Sequence, residues 1–268
     1  MVAVDIDGTL VDRQGNLPAY VKSAVQRVVG SQTPVVLATG RAWLDARPVF
    51  EALELPPGPV ICSNGSVTLN FPPVRHERMI TFDPAPVIAR VASMVPQARI
   101  AVEELGVGFR LNKLFPDGDL QGEMILQDLD ELSATPVTRV IVRDPNSNEH
   151  DFLGLAASLG MHGVSYSVGW SAWLHIAPEG VNKATALAAV CADLGIAPAD
   201  VLAIGDGRND IEMLNWAGRG VAMGEAPHEV KAAAVDVAAN FVDGGSALEL
   251  DRWFAFGQPP APLTLRTA

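Results

Sequence analysis

Four aspartates and one lysine have the types and spacing needed for metal and phosphate chemistry. Asp5 and Asp7 end an apolar run at the start of the chain, and Asp206 and Asp210 lie in a short polar segment near its end. If these acids share one crevice, their repulsion costs several kcal/mol unless protons or a cation offset it. Carboxylates together with carbonyl and water oxygens suit Mg²⁺, which commonly shares its coordination shell with a phosphate. We therefore expect a Mg²⁺ site, with Lys183 as a compact charge that can bind a phosphoryl oxygen.

Polar groups in two further segments favour an anion next to that cation. Thr39 and the Gly40 amide are predicted to lie at the start of a helix, where the helix dipole favours negative charge, and Arg41 follows them. Lys183 follows Asn182 near another predicted helix start, where a cation opposes the dipole. That unfavourable placement favours a functional role for the lysine. None of these segments contains His or Cys, which argues against zinc.

Apolar strands and amphipathic helices alternate around these polar segments. Strands are predicted at 2–5, 34–38, 60–62, 201–204, 220–223 and 235–238. Helices are predicted at 18–29, 184–194 and 211–217, and another helix follows 39–41 and runs to about residue 53. Continuous apolar strands separated by helices indicate an α/β fold with a doubly wound parallel sheet, covered on both faces. Ligands bind beyond the carboxyl ends of such strands, which is where the polar segments fall.

The middle of the chain has a different pattern. A helix is predicted at 86–95, and short half-polar strands at 99–102, 106–111, 138–142, 163–168 and 172–176. Such strands are typical of a more antiparallel α+β unit. We therefore predict a core domain, residues 1–79 and 179–268, interrupted by an inserted α+β domain at 80–178. A flap hairpin around Gly15 is expected before the first helix, and an irregular tail at 257–268.

Composition excludes several classes of function. The chain has 268 residues, 49% of them hydrophobic, and 31 acids against 19 bases give a net charge of −12. This balance argues against nucleic-acid binding, which depends largely on Lys and Arg. Two distant cysteines indicate neither a disulfide framework nor a cysteine metal site, so a cytoplasmic protein is expected. The sequence has no stretch of about 18 apolar residues, so no membrane-spanning segment is predicted. We expect a monomer or a small homo-oligomer.

The polar segments resemble the four motifs of the haloacid dehalogenase (HAD) superfamily, in the same order. The first motif is similar to Asp5-Ile6-Asp7-Gly8-Thr9-Leu10, the second to Thr39-Gly40-Arg41, the third to Lys183, and the fourth to the segment 205–210. The segments 63–65, 179–183 and 220–224 also resemble segments that are usual in the Cof-type branch. The resemblance covers nearly the whole chain. It implies a Rossmann-like core and, because the insert follows the second motif, a cap of the IIB type.

This resemblance also implies roles for individual residues. Asp5 would attack phosphorus and form an aspartyl-phosphate, and Asp7 would act as general acid and then as general base. The implied Mg²⁺ ligands are the Asp5 carboxylate, the Asp7 carbonyl and Asp206, with Asp210 bound directly or through water. The implied phosphate-binding groups are Thr39, Gly40, Lys183 and Asn209, and Arg41 either joins them or forms an ion pair on the core surface.

The leading hypothesis is a Mg²⁺-dependent phosphatase of small metabolites such as sugar phosphates or phosphorylated cofactors. Each motif taken alone has a structural alternative, because Asp, Gly and Thr are common in turns and helix caps. Two further functions stay open, a phosphotransferase or mutase and a non-enzymatic aspartyl-phosphate acceptor. The large insert limits access and therefore disfavours phosphoproteins as substrates.

Other candidate residues have weaker signals. Trp170, Trp173 and His175 lie on predicted insert strands and either face a substrate or pack in the interior. Solvated positions are predicted for Glu103, Glu104 and Arg110. Buried packing positions are predicted for Cys62, Cys191, Met213, Trp216 and Met223.

Overall fold

The computed structural model describes residues 1–116, 120–144, 164–169 and 173–254, the segment 164–169 by its backbone. Trp170 and the predicted tail at 257–268 lie outside the described residues. The helices, in chain order, are α1 (Ala19–Gly30), α2 (Trp43–Ala52), α3 (Ala85–Met94), α4 (Leu129–Ser133), α5 (Lys183–Leu194), α6 (Ile211–Trp216), α7 (His228–Ala233) and α8 (Gly245–Phe254).

The core is an eight-stranded sheet. Its strands are β1 (Val2–Val4), β2 (Val35–Ala38), β3 (Gly58–Cys62), β4 (Val67–Phe71), β5 (Arg75–Met79), β12 (Leu202–Gly205), β13 (Arg219–Ala222) and β14 (Asp236–Val237). The spatial order is β14-β13-β12-β1-β2-β3-β4-β5. Pairing is parallel from β14 to β3 and antiparallel between β3 and β4 and between β4 and β5, which form a hairpin at the edge. The predicted doubly wound α/β fold is therefore confirmed.

Helices cover both faces of the core sheet because their apolar residues recur at helical spacing. In α1, for example, Val21, Ala24, Val25 and Val28 are buried against the sheet. Helices α1, α2 and α8 pack on one face, and α5, α6 and α7 pack on the other. Burial on both faces explains why β1, β2 and β12 are continuous apolar runs.

The insert forms a second sheet. We call this sheet, together with helices α3 and α4, the cap. Its strands are β6 (Arg99–Glu104), β7 (Gly108–Leu111), β8 (Glu123–Leu126), β9 (Val140–Arg143), β10 (Val164–Gly169) and β11 (Trp173–Pro178), in the order β10-β11-β9-β6-β7-β8. Pairing is antiparallel except between β7 and β8. The predicted α+β character of this segment is confirmed.

The two faces of the cap sheet have different neighbours. Val102, Val140 and Leu174 lie on the face that packs against α3 and α4. The alternate residues of the same strands point the opposite way, where Ala101 and Ile141 form a cluster with Ala42, just before α2 of the core. The second face of the cap sheet is therefore directed towards the core.

Two local features differ from the sequence-based expectations. The segment around Gly15 is a turn and not a strand hairpin, because the Asp12 carboxylate accepts the amides of Gln14 and Asn16. The β4–β5 hairpin was not predicted, since the edge strand β5 is mostly polar and exposed. In the described ranges, no helix has the length and apolar character needed to span a membrane.

Candidate active site

Three neighbouring parallel strands bring the predicted acids to one edge of the core sheet. Val4 of β1 pairs with Ile204 of β12 and with Leu37 of β2. The next residues, Asp5 and Asp206 among them, therefore leave the sheet side by side at its carboxyl edge. Asp5 and Asp206 are both buried, with 4% and 2% of their surfaces exposed.

Lys183 is the centre of a buried charge cluster. It is the first residue of α5, after the Asn182 N-cap, and its side chain is fully buried. Its Nζ lies 2.7 Å from Asp5 Oδ1 and 2.6 Å from Asp210 Oδ1. The unfavourable position of this cation at a helix start is thus offset by two carboxylates.

Asp5, Asp206 and Asp210 form a group that fits a hard divalent cation. One oxygen of each carboxylate lies within 4.8 Å of the other two. Asp210 Oδ2 accepts the amides of Asp206 and Gly207 at 3.0 and 2.9 Å, so both of its oxygens have protein partners. Three carboxylates share the single charge of Lys183, which leaves an excess of negative charge that Mg²⁺ can neutralise.

Glycine is required next to this group. A Cβ on Gly8 would lie 2.1 Å from Asp206 Oδ2, and Gly8 has a φ of +71°. The Asp206 carboxylate therefore rests against the backbone that follows Asp7, in a position that a side chain would fill.

Burial and like charges perturb the acids of the cluster. Burial raises the pKa of Asp5 from 3.8 to about 7; Lys183 opposes this shift, while Asp210 and Asp7 add to it. Burial, followed by the charges of Asp5 and Asp210, also raises the pKa of Asp206 well above its ordinary value. A cation bound between them would favour the ionised forms.

Asp7 and Arg41 form an ion pair beside this cluster. Arg41 donates from Nε to Asp7 Oδ2 at 2.9 Å and from Nη2 to Asp7 Oδ1 at 2.6 Å, and its Nη1 donates to the Asp45 carbonyl. The Asp7 side chain is 55% exposed. Arg41 thus forms the ion pair that was one of its two predicted roles, and it orients Asp7 through two parallel hydrogen bonds.

The loops after β2 and β3 hold each other next to the acids. The amides of Ser63 and Asn64 donate to the carbonyls of Arg41 and Thr39 at 2.8 and 3.0 Å. Asn209 Nδ2 donates to Asn64 Oδ1 at 2.9 Å, and a Cβ on Gly40 would lie 3.4 Å from Asn209 Nδ2. The structure thus brings Gly40 and Asn209, two of the predicted phosphate-binding residues, into contact range.

The relation of Thr39 and Gly40 to the following helix differs from the prediction. Helix α2 begins at Trp43, after the Ala42 N-cap, so neither residue belongs to its first turn. Thr39 is instead buried in the loop, where its Oγ1 accepts the Arg41 amide at 3.1 Å. Its hydroxyl hydrogen stays available as a donor, because the accepted bond occupies a lone pair.

Glu103 and Arg139 contribute a buried ion pair from the cap, which the sequence analysis missed. Arg139 Nε lies 3.0 Å from Glu103 Oε2, and the two side chains are 4% and 3% exposed. The predicted solvated position of Glu103 is therefore wrong, because the register of β6 and β9 turns it towards Arg139 and the core. The prediction that Arg110 is solvated is also wrong, since only 12% of its side chain is exposed. The Glu104 side chain is 44% exposed, as predicted.

Aromatic residues lie on the core-facing side of the cap. Trp173 stacks on His175 with 6.0 Å between ring centroids and also contacts Phe115. Burial, followed by the charge of Arg139, lowers the pKa of His175 to about 3, so its imidazole is neutral at physiological pH. The buried positions predicted for Cys62, Cys191, Met213 and Met223 are confirmed, and Trp216 packs partly buried beside them.

Comparison with known proteins agrees with the architecture of a capped α/β hydrolase. The sequence profile of the haloacid dehalogenase-like hydrolase family matches residues 2–250. The protein therefore belongs to this family, and the resemblance of its motifs to those of a Cof-type HAD hydrolase is confirmed.

Similar proteins include phosphatases of small molecules. A phosphoglycolate phosphatase of Archaeoglobus fulgidus is 31% identical, over 92% of this chain and 93% of the relative. A 5-amino-6-(5-phospho-D-ribitylamino)uracil phosphatase of Bacillus subtilis is 27% identical, over 94% and 95% of the two chains. Among solved structures, the HAD subclass IIB sugar phosphatase BT4131 shares the fold, with a TM-score of 0.79, 20% identity and coverage of 93% and 97%.

Proposed function

We propose that this hydrolase is a Mg²⁺-dependent phosphatase that hydrolyses phosphate monoesters of small metabolites through an aspartyl-phosphate on Asp5. The observation that carries this proposal is the buried cluster in which Lys183 bridges Asp5 and Asp210, 2.7 and 2.6 Å away, beside Asp206. The acids supply a cation site and a nucleophile, and the loops after β2 and β3 supply phosphate ligands. The domain boundaries predicted from the sequence, with the cap at 80–178, are part of the same proposal.

Asp5 and Asp206 are the proposed carboxylate ligands of Mg²⁺, together with the Asp7 carbonyl. Asp210 is assigned to contact through water, because both of its oxygens already have protein partners. When bound, Mg²⁺ supplies positive charge that holds Asp5 ionised and stabilises the negative charge of the reacting phosphoryl group.

In the first step, an Asp5 oxygen attacks phosphorus and the bond to the leaving oxygen breaks. Asp7 enters this step protonated and gives that proton to the leaving oxygen, and the ion pair with Arg41 holds the carboxylate that remains. In the second step, Asp7 takes a proton from water, the water oxygen attacks phosphorus, and the bond to Asp5 breaks. Inorganic phosphate is released and both aspartates return to their initial protonation states.

Thr39, Gly40, Lys183 and Asn209 are proposed to hold the phosphoryl oxygens during both steps. Catalysis of phosphoryl transfer is mostly positioning and electrostatic stabilisation, since negative charge is spread over these oxygens. Lys183 is suited to this role because it is fully buried and the carboxylates of Asp210 and Asp5, which outweigh the opposing effect of burial, raise its pKa. The lysine therefore keeps its charge throughout the reaction.

Support for a small substrate comes from the cap, which contacts the loop of Gly40. Arg139 Nη1 donates to the Gly40 carbonyl at 2.5 Å, so the cap touches the core close to the reacting group. The similar phosphatases named above also act on small phosphorylated compounds, as their names state.

The test is phosphate release from a panel of sugar phosphates, phosphorylated cofactors, phosphoglycolate and p-nitrophenyl phosphate, with Mg²⁺ or with EDTA. We expect turnover that needs the divalent cation and nearly disappears in Asp5→Asn. Asp193→Asn is the matched control, because Asp193 is a surface acid paired with Arg78, 63% exposed. Turnover of Asp5→Asn at the wild-type rate would refute the nucleophile. An isomeric product in place of free phosphate would indicate a mutase, and a stable phospho-aspartate without turnover a phosphate acceptor.

A further inference from the structure

The Glu103–Arg139 ion pair joins the cap to two core loops at once. Arg139 Nη1 donates to the Gly40 carbonyl, 2.5 Å away. Glu103 Oε2 accepts the Ser63 hydroxyl at 2.5 Å and the Thr138 hydroxyl at 3.3 Å. The Arg139 guanidinium also lies 5.6 Å from the centroid of the Phe109 ring. Each of the two buried charges therefore has polar partners, although Arg139 Nε faces Glu103 Oε2 without the geometry of a hydrogen bond.

The contact of Arg139 acts on Thr39 through one peptide unit. The Gly40 carbonyl that it binds belongs to the same peptide as the Arg41 amide, which donates to Thr39 Oγ1. A planar peptide cannot rotate at one end alone. Fixing its carbonyl therefore fixes the amide, and with it the direction in which the Thr39 hydroxyl donates.

The contact of Glu103 acts on Asn209 through the loop after β3. Ser63 and Asn64 have φ values of 52° and 55°, in the left-handed region that non-glycine residues rarely adopt. The Glu103 carboxylate holds the Ser63 side chain in this conformation, and Asn64 Oδ1 accepts Asn209 Nδ2 at 2.9 Å. The same ion pair is thus connected to a second phosphate-binding side chain.

We infer that Glu103 and Arg139 are positioning residues that align Thr39, Gly40 and Asn209 for phosphate when the cap is docked on the core. This inference rests on the proposed function of the site. It makes the phosphate-binding geometry dependent on the cap, although no cap residue needs to touch the phosphate. Docking of the cap over a substrate then completes the phosphate site, and an undocked cap leaves it misaligned.

The neighbouring pair Glu104–Arg110 provides a matched control, because Glu104 follows Glu103 on β6 and its partner Arg110 is a cap arginine on β7. Arg110 Nε lies 3.0 Å from Glu104 Oε2, and its further partners Gln127, Glu131 and Thr135 all belong to the cap. Loss of that pair perturbs the cap from the opposite face without changing a contact to the core loops.

The experiment measures binding of inorganic phosphate to the Mg²⁺-loaded protein by calorimetry, together with kcat and KM for p-nitrophenyl phosphate. We expect Arg139→Ala and Glu103→Gln to weaken phosphate binding about tenfold, the loss expected for one misaligned hydrogen bond to a charged group. The value of kcat should fall by at least the same factor. Arg139→Lys should recover part of the loss, since lysine can reach one acceptor but not two. Arg110→Ala and Glu104→Gln should stay within about twofold of wild type.

Unfolding temperatures of all variants separate positioning from instability. If Arg139→Ala binds phosphate as tightly as Arg110→Ala, the inference is wrong, and the pair only holds the cap in place. The double variant Glu103→Gln/Arg139→Gln removes both charges and leaves no unpaired ion, so it keeps the test open if a single variant fails to fold. Wild-type phosphate affinity in that double variant would also overturn the inference. Absence of turnover in wild type would instead refute the proposed function.

Discussion

Removal of Mg²⁺ is expected to make the stability of the protein fall as pH rises, and Asp5 is one of the two acids responsible. The pKa of Asp5 is raised by burial from 3.8 to about 7. Between these pH values the folded protein holds a proton that the unfolded chain has lost. Because Asp5 then holds a proton only in the folded state, its contribution to the free energy of unfolding decreases with rising pH across this window. The raised pKa of Asp206 adds to this decrease, and the lowered pKa of His175 opposes it below pH 6.5. A shift of about three pKa units, at about 1.36 kcal/mol each, limits the contribution of Asp5 to the change in the free energy of unfolding to about 4 kcal/mol.

The assay is urea unfolding of the metal-free protein and of the Mg²⁺-saturated protein at several pH values from 5 to 8. Mg²⁺ binds the ionised acids of the folded state, so it should stabilise the protein strongly at pH 8 and weakly at pH 5. Free Mg²⁺ at about 100 times its dissociation constant gives about 2.7 kcal/mol. Wild type and the surface control Asp193→Asn should behave alike.

Asp5→Asn isolates the contribution of the buried carboxylate. The amide cannot titrate, so between pH 5 and 7 the stability of the metal-free variant should fall less steeply than that of metal-free wild type, and the variant should respond less to Mg²⁺. If Asp5→Asn retains the wild-type slope, the assignment of the raised pKa to Asp5 is wrong.

Three further variants test individual contacts of the site. Arg41→Lys removes the two parallel hydrogen bonds to Asp7 and should lower kcat about 10- to 100-fold in steady-state assays, with an unchanged unfolding temperature; an unchanged kcat would contradict the orienting role. Gly8→Ala places a Cβ against the Asp206 carboxylate and should weaken Mg²⁺ binding at least about tenfold by calorimetry; wild-type affinity would show that the carboxylate can move away. Between pH 6.5 and about 3 only the unfolded chain protonates His175, so wild type loses stability as pH falls, by no more than about 1.4 kcal/mol per pH unit from this group. His175→Gln should lessen this loss. Identical urea midpoints for variant and wild type at pH 4 and pH 7 would contradict the lowered pKa.

The core fold could be predicted from sequence because its strands carry their own signal. Buried parallel strands such as β2 and β12 are continuous apolar runs, and polar residues follow directly where each strand ends. Parallel pairing then brings Asp5 and Asp206 together without any further information. Lys183 could be singled out for a different reason, since a cation at a predicted helix start opposes the helix dipole and is unfavourable there without a function.

The contribution of the cap could not be predicted in the same way. A strand with alternating apolar and polar residues has one buried face, but the pattern does not tell whether its polar face meets water or another domain. Glu103 was therefore predicted to be solvated, whereas the core covers it. Arg139, next to the apolar run of β9, carried a weak signal that only the register with β6 makes meaningful. The edge strand β5 was missed because its residues are mostly polar.

The alternation of residues in the cap strands has a consequence for how the protein can change. Residues such as Val102, Val140 and Leu174 hold the cap helices, whereas Ala101, Ile141 and His175 occupy the intervening positions on the core-facing side. Mutations at this second set change the buried contact between the cap and the loop before α2, without opening a cavity under α3 or α4. The way in which the cap docks on the core can therefore change during evolution, while the helix-covered face of the cap and the chemistry of the core are inherited unchanged.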